Sequence, residues 1–216
     1  MAENTEQFRW IVIIKENLEI LFADDPNVFV AGDLLWYPVP STLVPPTAPD
    51  AMVVFGRPKG RRGSYRQWME DNIPPQVVFE VLSPGNTANE MRRKLEFYNT
   101  YGVEEYYLYD PETFLLEGWQ RQGGELAKLW HLDGWVSPRL GIRFAAQEGQ
   151  ELVIYRPDGQ RFLSPVELNQ RAEAAEQQLA QERQRAEQER QRADRMAAYL
   201  RSLGLDPDNL PNDFPS

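Results

Sequence analysis

Two hydrophobic periods alternate along this chain, and each change of period marks an element. From Phe8 to Leu21 the apolar positions Ile11, Ile14, Leu18 and Leu21 fall three or four apart, which predicts an amphipathic helix ended by Asp24, Asp25 and Pro26. Short β-branched and aromatic runs follow, Val28 to Ala31 and Leu34 to Tyr37, set around Gly32 and Asp33; these predict strands about a turn or bulge. The proline-rich stretch from Pro38 to Pro49 is extended and leads into another strand, Ala51 to Phe55. Val77 to Leu82 is apolar apart from Glu80, the pattern of a strand covered on both faces. Thr87 with Glu90 three residues on predicts a capped helix start, and Gly102 its end. Strands are expected at Glu105 to Tyr109, Leu115 to Gln120 and Ala127 to Leu132. A hairpin is expected at Glu151 to Leu163 about Pro157, Asp158 and Gly159. The sum is an α/β (α+β) chain with a mixed sheet flanked by helices.

At Pro165 the pattern changes to Gln, Glu, Arg and Ala, with no glycine before Gly204. Residues 181–187 recur almost unchanged as 188–194, so the period is seven and the segment reads as a long helix capable of supercoiling. Its seam runs from Leu168 through Leu179 to Leu203, but Glu182, Ala186, Glu189 and Ala193 occupy the middle. Such a seam pairs weakly. A homodimer through this C-terminal helix, packing on the domain, and a solvated helix held by Glu–Arg pairs are all compatible with it. The expected division is a domain over 1–164 and a helix with a short polar tail over 165–216.

Composition narrows the chemistry. The 216 residues include no cysteine, so thiolate sites are excluded, and the single histidine, His131, excludes a His-rich metal cluster. His131 reads as a half-exposed strand residue. The start of the chain lacks a basic n-region, and the apolar run at Ile11 to Ile14 is too short to span a membrane, so the expectation is a cytoplasmic, soluble protein. A net charge of −10 repels phosphate over most of the surface. One local exception is the glycine-rich loop carrying Arg57, Lys59, Arg61, Arg62 and Arg66, which suits contact with a nucleic-acid backbone. A solvated loop that balances acids elsewhere explains it equally well.

Glu80 is the most informative residue. An ionised carboxylate inside an apolar strand costs several kcal/mol unless a cation or several donors compensate it. An Arg or Lys partner, or an edge position facing water, would do so; so would a metal ion. Asp50 opens the strand thirty residues earlier, and if the two strands are neighbours, both carboxylates converge on one hard, oxygen-seeking cation. The carbonyl of Val81 offers a third ligand, and a nearby lysine would orient or deprotonate the attacking water, the layout for metal-assisted phosphodiester hydrolysis. Asp33 is a further acid in this region, equally explained as a turn residue.

Several segments together resemble the Uma-type putative restriction endonuclease family, within the PD-(D/E)xK nuclease superfamily. They are Pro49 to Val54, Val78 to Pro84, Glu90 to Lys94 with Tyr98, and Tyr101 to Pro111, with Ser137 to Phe144 downstream. The resemblance spans roughly residues 8–144, extends at most to 163, and omits the heptad segment. It implies a restriction-endonuclease-like domain, with Asp50 and Glu80 as ligands of Mg²⁺ (or Mn²⁺). The superfamily places its lysine two residues after the second acid, where this chain has Leu82; the resemblance implies that Lys94 from the following helix takes that part. A Glu90–Lys94 surface ion pair is the competing account of Lys94. The function expected is metal-dependent endonucleolytic cleavage, of DNA. The alternatives are a catalytically inactive nuclease-fold scaffold acting through its C-terminal helix, or a nucleic-acid-binding module.

Overall fold

In the computed structural model, residues 4–204 and 206–207 are described. Helix α1, Thr5–Leu21, starts before its apolar stripe because Asn4 caps it, its side-chain oxygen accepting the Gln7 N–H at 2.7 Å. Trp10, Ile11, Ile13, Ile14 and Leu18 form its buried stripe. The strands follow as β1 (Val28–Ala31), β2 (Trp36–Tyr37), β3 (Ala51–Phe55), β4 (Tyr65–Arg66) and β5 (Val77–Val81). Helix α2, Ala88–Thr100, leads to β6 (Glu105–Asp110), β7 (Leu115–Gln122), β8 (Glu125–Leu129), β9 (Arg143–Ala145) and β10 (Val153–Tyr155), and α3 covers Pro165–Ser202.

Six strands make the main sheet in the order β1-β3-β5-β6-β7-β8. All neighbours are antiparallel except β5 and β6, which run parallel because α2 carries the chain back between them. This is the mixed sheet flanked by helices that the hydrophobic pattern predicts. Alternate residues of each strand feed two cores. Val53, Phe79, Val81 and Tyr107 pack with α1 on one face, and Met52, Val78, Tyr106 and Leu108 face α2 on the other. Every residue of β5 is therefore buried.

The placement of α2 is tightly determined. Thr87 caps its start, with the hydroxyl accepting the Glu90 N–H at 3.2 Å, and Gly102 at φ +95° ends it against Pro74. At its C-terminus the Arg121 guanidinium, on β7, donates to the carbonyls of Asn99 and Val103 at 2.7 Å and of Tyr98 at 3.3 Å. The Tyr98 and Asn99 carbonyls, in the last turn, have no partner inside the helix, and a cation there suits the helix dipole.

Three local expectations change. The run Leu34 to Tyr37 shortens to Trp36–Tyr37, which leaves the main sheet and pairs in parallel with β4. The hairpin expected at Glu151 to Leu163 reduces to one bridge between Tyr155 and Arg161 around the predicted turn, because β10 pairs mainly with β9. Strand β8 ends at Leu129, so His131 is an exposed residue beyond it.

The chain clusters into two units, Met1–Pro165 and Val166–Ser216. In the second, α3 has no buried residue, and pairs such as Asn169 with Glu173 and Gln191 with Glu187 run along its surface. Among the described residues, no helix is long and apolar enough to cross a membrane. Replacing Arg121 with Met should lower the unfolding free energy by about 2 kcal/mol, the scale of hydrogen bonds from a charged donor. Urea denaturation checks this, and an unchanged midpoint would mean that α2 is seated by its apolar face alone.

Candidate active site

The register of the sheet builds the site. Ala51 lies opposite Phe79 and Met52 opposite Val78, so continuing the ladder by one residue sets Asp50 beside Glu80. Both acids point to the α2 face, since Met52 and Val78 do. The Val81 N–H donates to Asp50 Oδ2 at 2.7 Å and fixes that carboxylate. Gly32, just past β1, lets the chain pass close to the Asp50 backbone, for a Cβ there would stand 3.1 Å from the Asp50 carbonyl oxygen.

Glu80 is 2% exposed, and both of its oxygens are engaged from α2. Lys94 Nζ donates to Oε2 at 2.8 Å, and the Tyr98 hydroxyl, one turn on, donates to Oε1. Trp36 holds Tyr98 in place, their rings stacked at 6.2 Å and 1° apart. Gln7, from α1 at the other face, donates its side-chain amide to the Val81 carbonyl at 2.8 Å. The structure thus brings Asp50, Glu80, Val81 and Lys94 together, and the lysine pairs with Glu80. Asp33 sits nearby at φ +47°, its N–H donating to the Pro49 carbonyl at 3.0 Å, as a turn residue does.

Burial pushes the Glu80 carboxyl up to about 7; Lys94 pulls against that rise and the Asp50 charge adds to it. Burial also raises Asp50, opposed by the Val81 N–H and by Lys94. The Glu80 side chain beside it is a further influence that lowers the Asp50 carboxyl. Burial disfavours the Lys94 cation, yet Glu80 first and then Asp50 outweigh it, and its pKa is raised. Two carboxylates, Glu80 buried and Asp50 half-buried, therefore face a single ammonium. The raised pKa of both carboxyls expresses that imbalance.

That imbalance, with donors that are all oxygen, fits a small hard cation. Among the described residues no group of three or more His, Cys, Asp and Glu side chains is placed to hold a metal. Side-chain donors number two here, which matches a Mg²⁺-type ion that keeps several waters rather than a fully protein-lined cage.

The basic loop is less available than its sequence suggests. Arg57 and Arg62 both bond Glu70, at 3.0 and 2.7 Å, and Arg57 also pairs with Asp71. The Arg62 hydrogen bond leads in holding the Glu70 carboxyl below its usual range. Arg62 also lies 3.9 Å over the Phe29 ring, and Lys59 donates to the carbonyls of Phe22 and Ala23. Arg61 and Arg66 are exposed and unpaired among the described residues.

Two residues of the site escape the sequence reading, Tyr98 in this role and Gln7 altogether. Tyr98 stands one helical turn beyond Lys94, a spacing that puts both on one face. Gln7 follows Asn4 by three residues, the signature of a capped helix start, and that signal would have placed it inside α1.

Comparison with known proteins gives the class first: the matches carry the description of putative nucleases. A family model described as "Putative restriction endonuclease", Uma2, matches residues 14–191, and the chain belongs to that family. The match runs into α3, further than the segments that carry the sequence resemblance. Among solved structures, the chain is similar to one described as a putative nuclease belonging to DUF820 from Anabaena variabilis. The two are 14% identical, with a TM-score of 0.48, covering 63% of this chain and 74% of that one. No curated protein matches.

Because the folded pKa of Glu80 lies above the ordinary value, the folded state retains a proton that the unfolded state has lost between about pH 4.5 and 7. Stability of the metal-free protein should therefore fall as pH rises through that window, with a slope approaching one proton. Glu80→Gln should flatten it. Thermal melts from pH 5 to pH 8 in the presence of a chelator give the measurement, and parallel profiles for the two proteins would contradict it.

Proposed function

We propose that this protein is a metal-dependent endonuclease that hydrolyses phosphodiester bonds in DNA. The observation that carries the reading is the meeting of Asp50 and Lys94 at the buried Glu80, with one positive charge too few. Asp50, Glu80 and the Val81 carbonyl would hold Mg²⁺ or Mn²⁺. When bound, such an ion supplies charge to the reacting phosphate and acidifies water.

The remaining roles belong to the chain. Lys94 is held as a cation by its two acids, so at neutral pH it has no lone pair with which to take a proton. Its part is to orient the attacking water or a phosphate oxygen and to offset the negative charge that develops there. Tyr98 fixes the rotamer of Glu80, and Gln7 fixes the direction of the Val81 carbonyl. Leu82 occupies the position at which the superfamily carries its lysine, and Lys94 supplies the ammonium from the adjoining helix. Arg61 and Arg66 are the loop cations left to meet backbone phosphates, and Arg57, Lys59 and Arg62 shape the loop that presents them. The exposed Leu179, Met196 and Tyr199 on α3 support self-association through that helix.

Cleavage of supercoiled plasmid and single-stranded DNA with Mn²⁺ or Mg²⁺ tests the proposal. Glu80→Gln and Lys94→Met should each lower the rate at least about 100-fold, the order seen when a charge-stabilising group is removed. Mn²⁺ should raise the melting temperature of the wild type and leave Asp50→Asn unmoved. Equal cleavage by wild type and Glu80→Gln would sink the nuclease reading and leave a scaffold. Replacing Arg61 and Arg66 with Gln should weaken DNA binding and reduce the slope of log affinity against log salt by about 2.

A further inference from the structure

Helix α3 runs for 38 residues without burying one of them. A helix so placed is held by pairs along its own surface or by a partner laid against it. Pairs along the surface are present, Gln178 with Glu182 among them. They leave the heptad seam unanswered: Leu179 and Met196, which both belong to it, are 48% and 55% exposed. The middle of the seam alternates Glu and Ala, from Glu182 and Ala186 to Glu189 and Ala193. That alternation decides which partner helix fits.

Two copies of α3 laid parallel and in register set each seam residue against itself. Glu182 then faces Glu182 and Glu189 faces Glu189, while every seam alanine faces another alanine across a gap. Antiparallel copies instead set the alanine positions of the heptad against the glutamate positions. With Ala186 opposite Glu189, Glu182 faces Ala193 and Leu179 faces Met196; further out, Ala175 faces Leu200, and Ala172 faces Leu203 just past the helix. No glutamate meets a glutamate, and no small residue meets another. The charges agree as well. Arg190 and Arg192 flank Ala193, and Arg183 and Arg185 flank Ala186, so each seam glutamate reaches between two guanidinium groups of the other copy. The arginines also face one another along both rims, where water and salt screen them.

We propose that α3 pairs antiparallel with α3 of a second copy of this chain, Ala186 of each opposite Glu189 of the other. The inference rests on the self-association reading and deepens it. Because α3 starts at Pro165, where the first unit ends, the two points of attachment lie at opposite ends of the pair, about 65 Å apart at the rise of an α-helix. Pairing of this kind gives a long nucleic acid two points of attachment on one particle.

The chain has no cysteine, so single substitutions report the direction of pairing in the full-length protein. Sedimentation equilibrium of the wild type should show a dimer at concentrations on the order of 0.1 mM. Ala175→Cys and Leu200→Cys proteins, one of them carrying a size tag, are then mixed and oxidised. A disulfide should join the two different proteins, and neither should cross-link when oxidised alone. Arg192→Glu should weaken the dimer about tenfold, the scale of two surface ion pairs reversed at once, and adding Glu182→Arg should restore it. A monomer at every concentration would sink self-association altogether. A dimer whose Ala175→Cys copies link to themselves, or one in which no mixture links, would overturn the antiparallel register and leave self-association standing. The outcome is separable from the nuclease reading. Glu80-dependent cleavage by a monomer removes the pairing alone, and a cross-linked antiparallel dimer without cleavage removes the nuclease and leaves the pairing.

Discussion

A carboxylate buried in the central apolar strand dictates much of what surrounds it. Glu80 lies on β5 with a helix over each face, so bulk water cannot solvate it. Its compensation comes from α2, and α2 is accordingly fastened at both ends: the Thr87 cap at one, Gly102 and the Arg121 guanidinium at the other. Lys94 and Tyr98 reach the acid only if that helix keeps its rotation and height. The fold thus spends its most specific contacts on the element that neutralises the charge. Even so, the neutralisation stays incomplete, because Asp50 adds a second acid to the same spot.

The two faces of the sheet divide the labour. The α1 face is a core of Trp, Ile, Val and Phe side chains, with the buried amides of α1 reaching out, Gln7 to Val81 and Asn17 to Leu163. The α2 face carries the acids, the lysine and an aromatic wall of Trp36, Tyr98 and Tyr106. Trp36 and Tyr65 belong to the small β2–β4 pair, which sits on this same face and brings the basic loop to it. The residues of the candidate site are consequently drawn from several segments, and none of these contributes more than a few.

How far all this was readable follows from the range of each interaction. Strands β3, β5 and β6 are long apolar runs, and their periodicity alone places them. Strands of two or three residues such as β2, β4, β9 and β10 carry too few positions to show a period, so their partners were out of reach. Glu80 betrayed itself because a charge in an apolar run is a local anomaly. Its pairing with Asp50 depended on a register that no single segment contains. The cations of the 57–66 loop were plain in the sequence, whereas their engagement with Glu70 and Asp71 depends on how the loop folds back.

The parallel pairing of β5 and β6 also governs the order in which the site assembles. Glu80, Lys94 and Tyr98 lie within one strand–helix unit, so their contacts close a short stretch of chain and form early on entropic grounds. Asp50 joins across a 31-residue separation, and only once β3 has docked. A partly folded chain therefore holds a satisfied Glu80–Lys94 pair before it holds an acid pair. The surplus of negative charge appears last, as a property of the completed sheet.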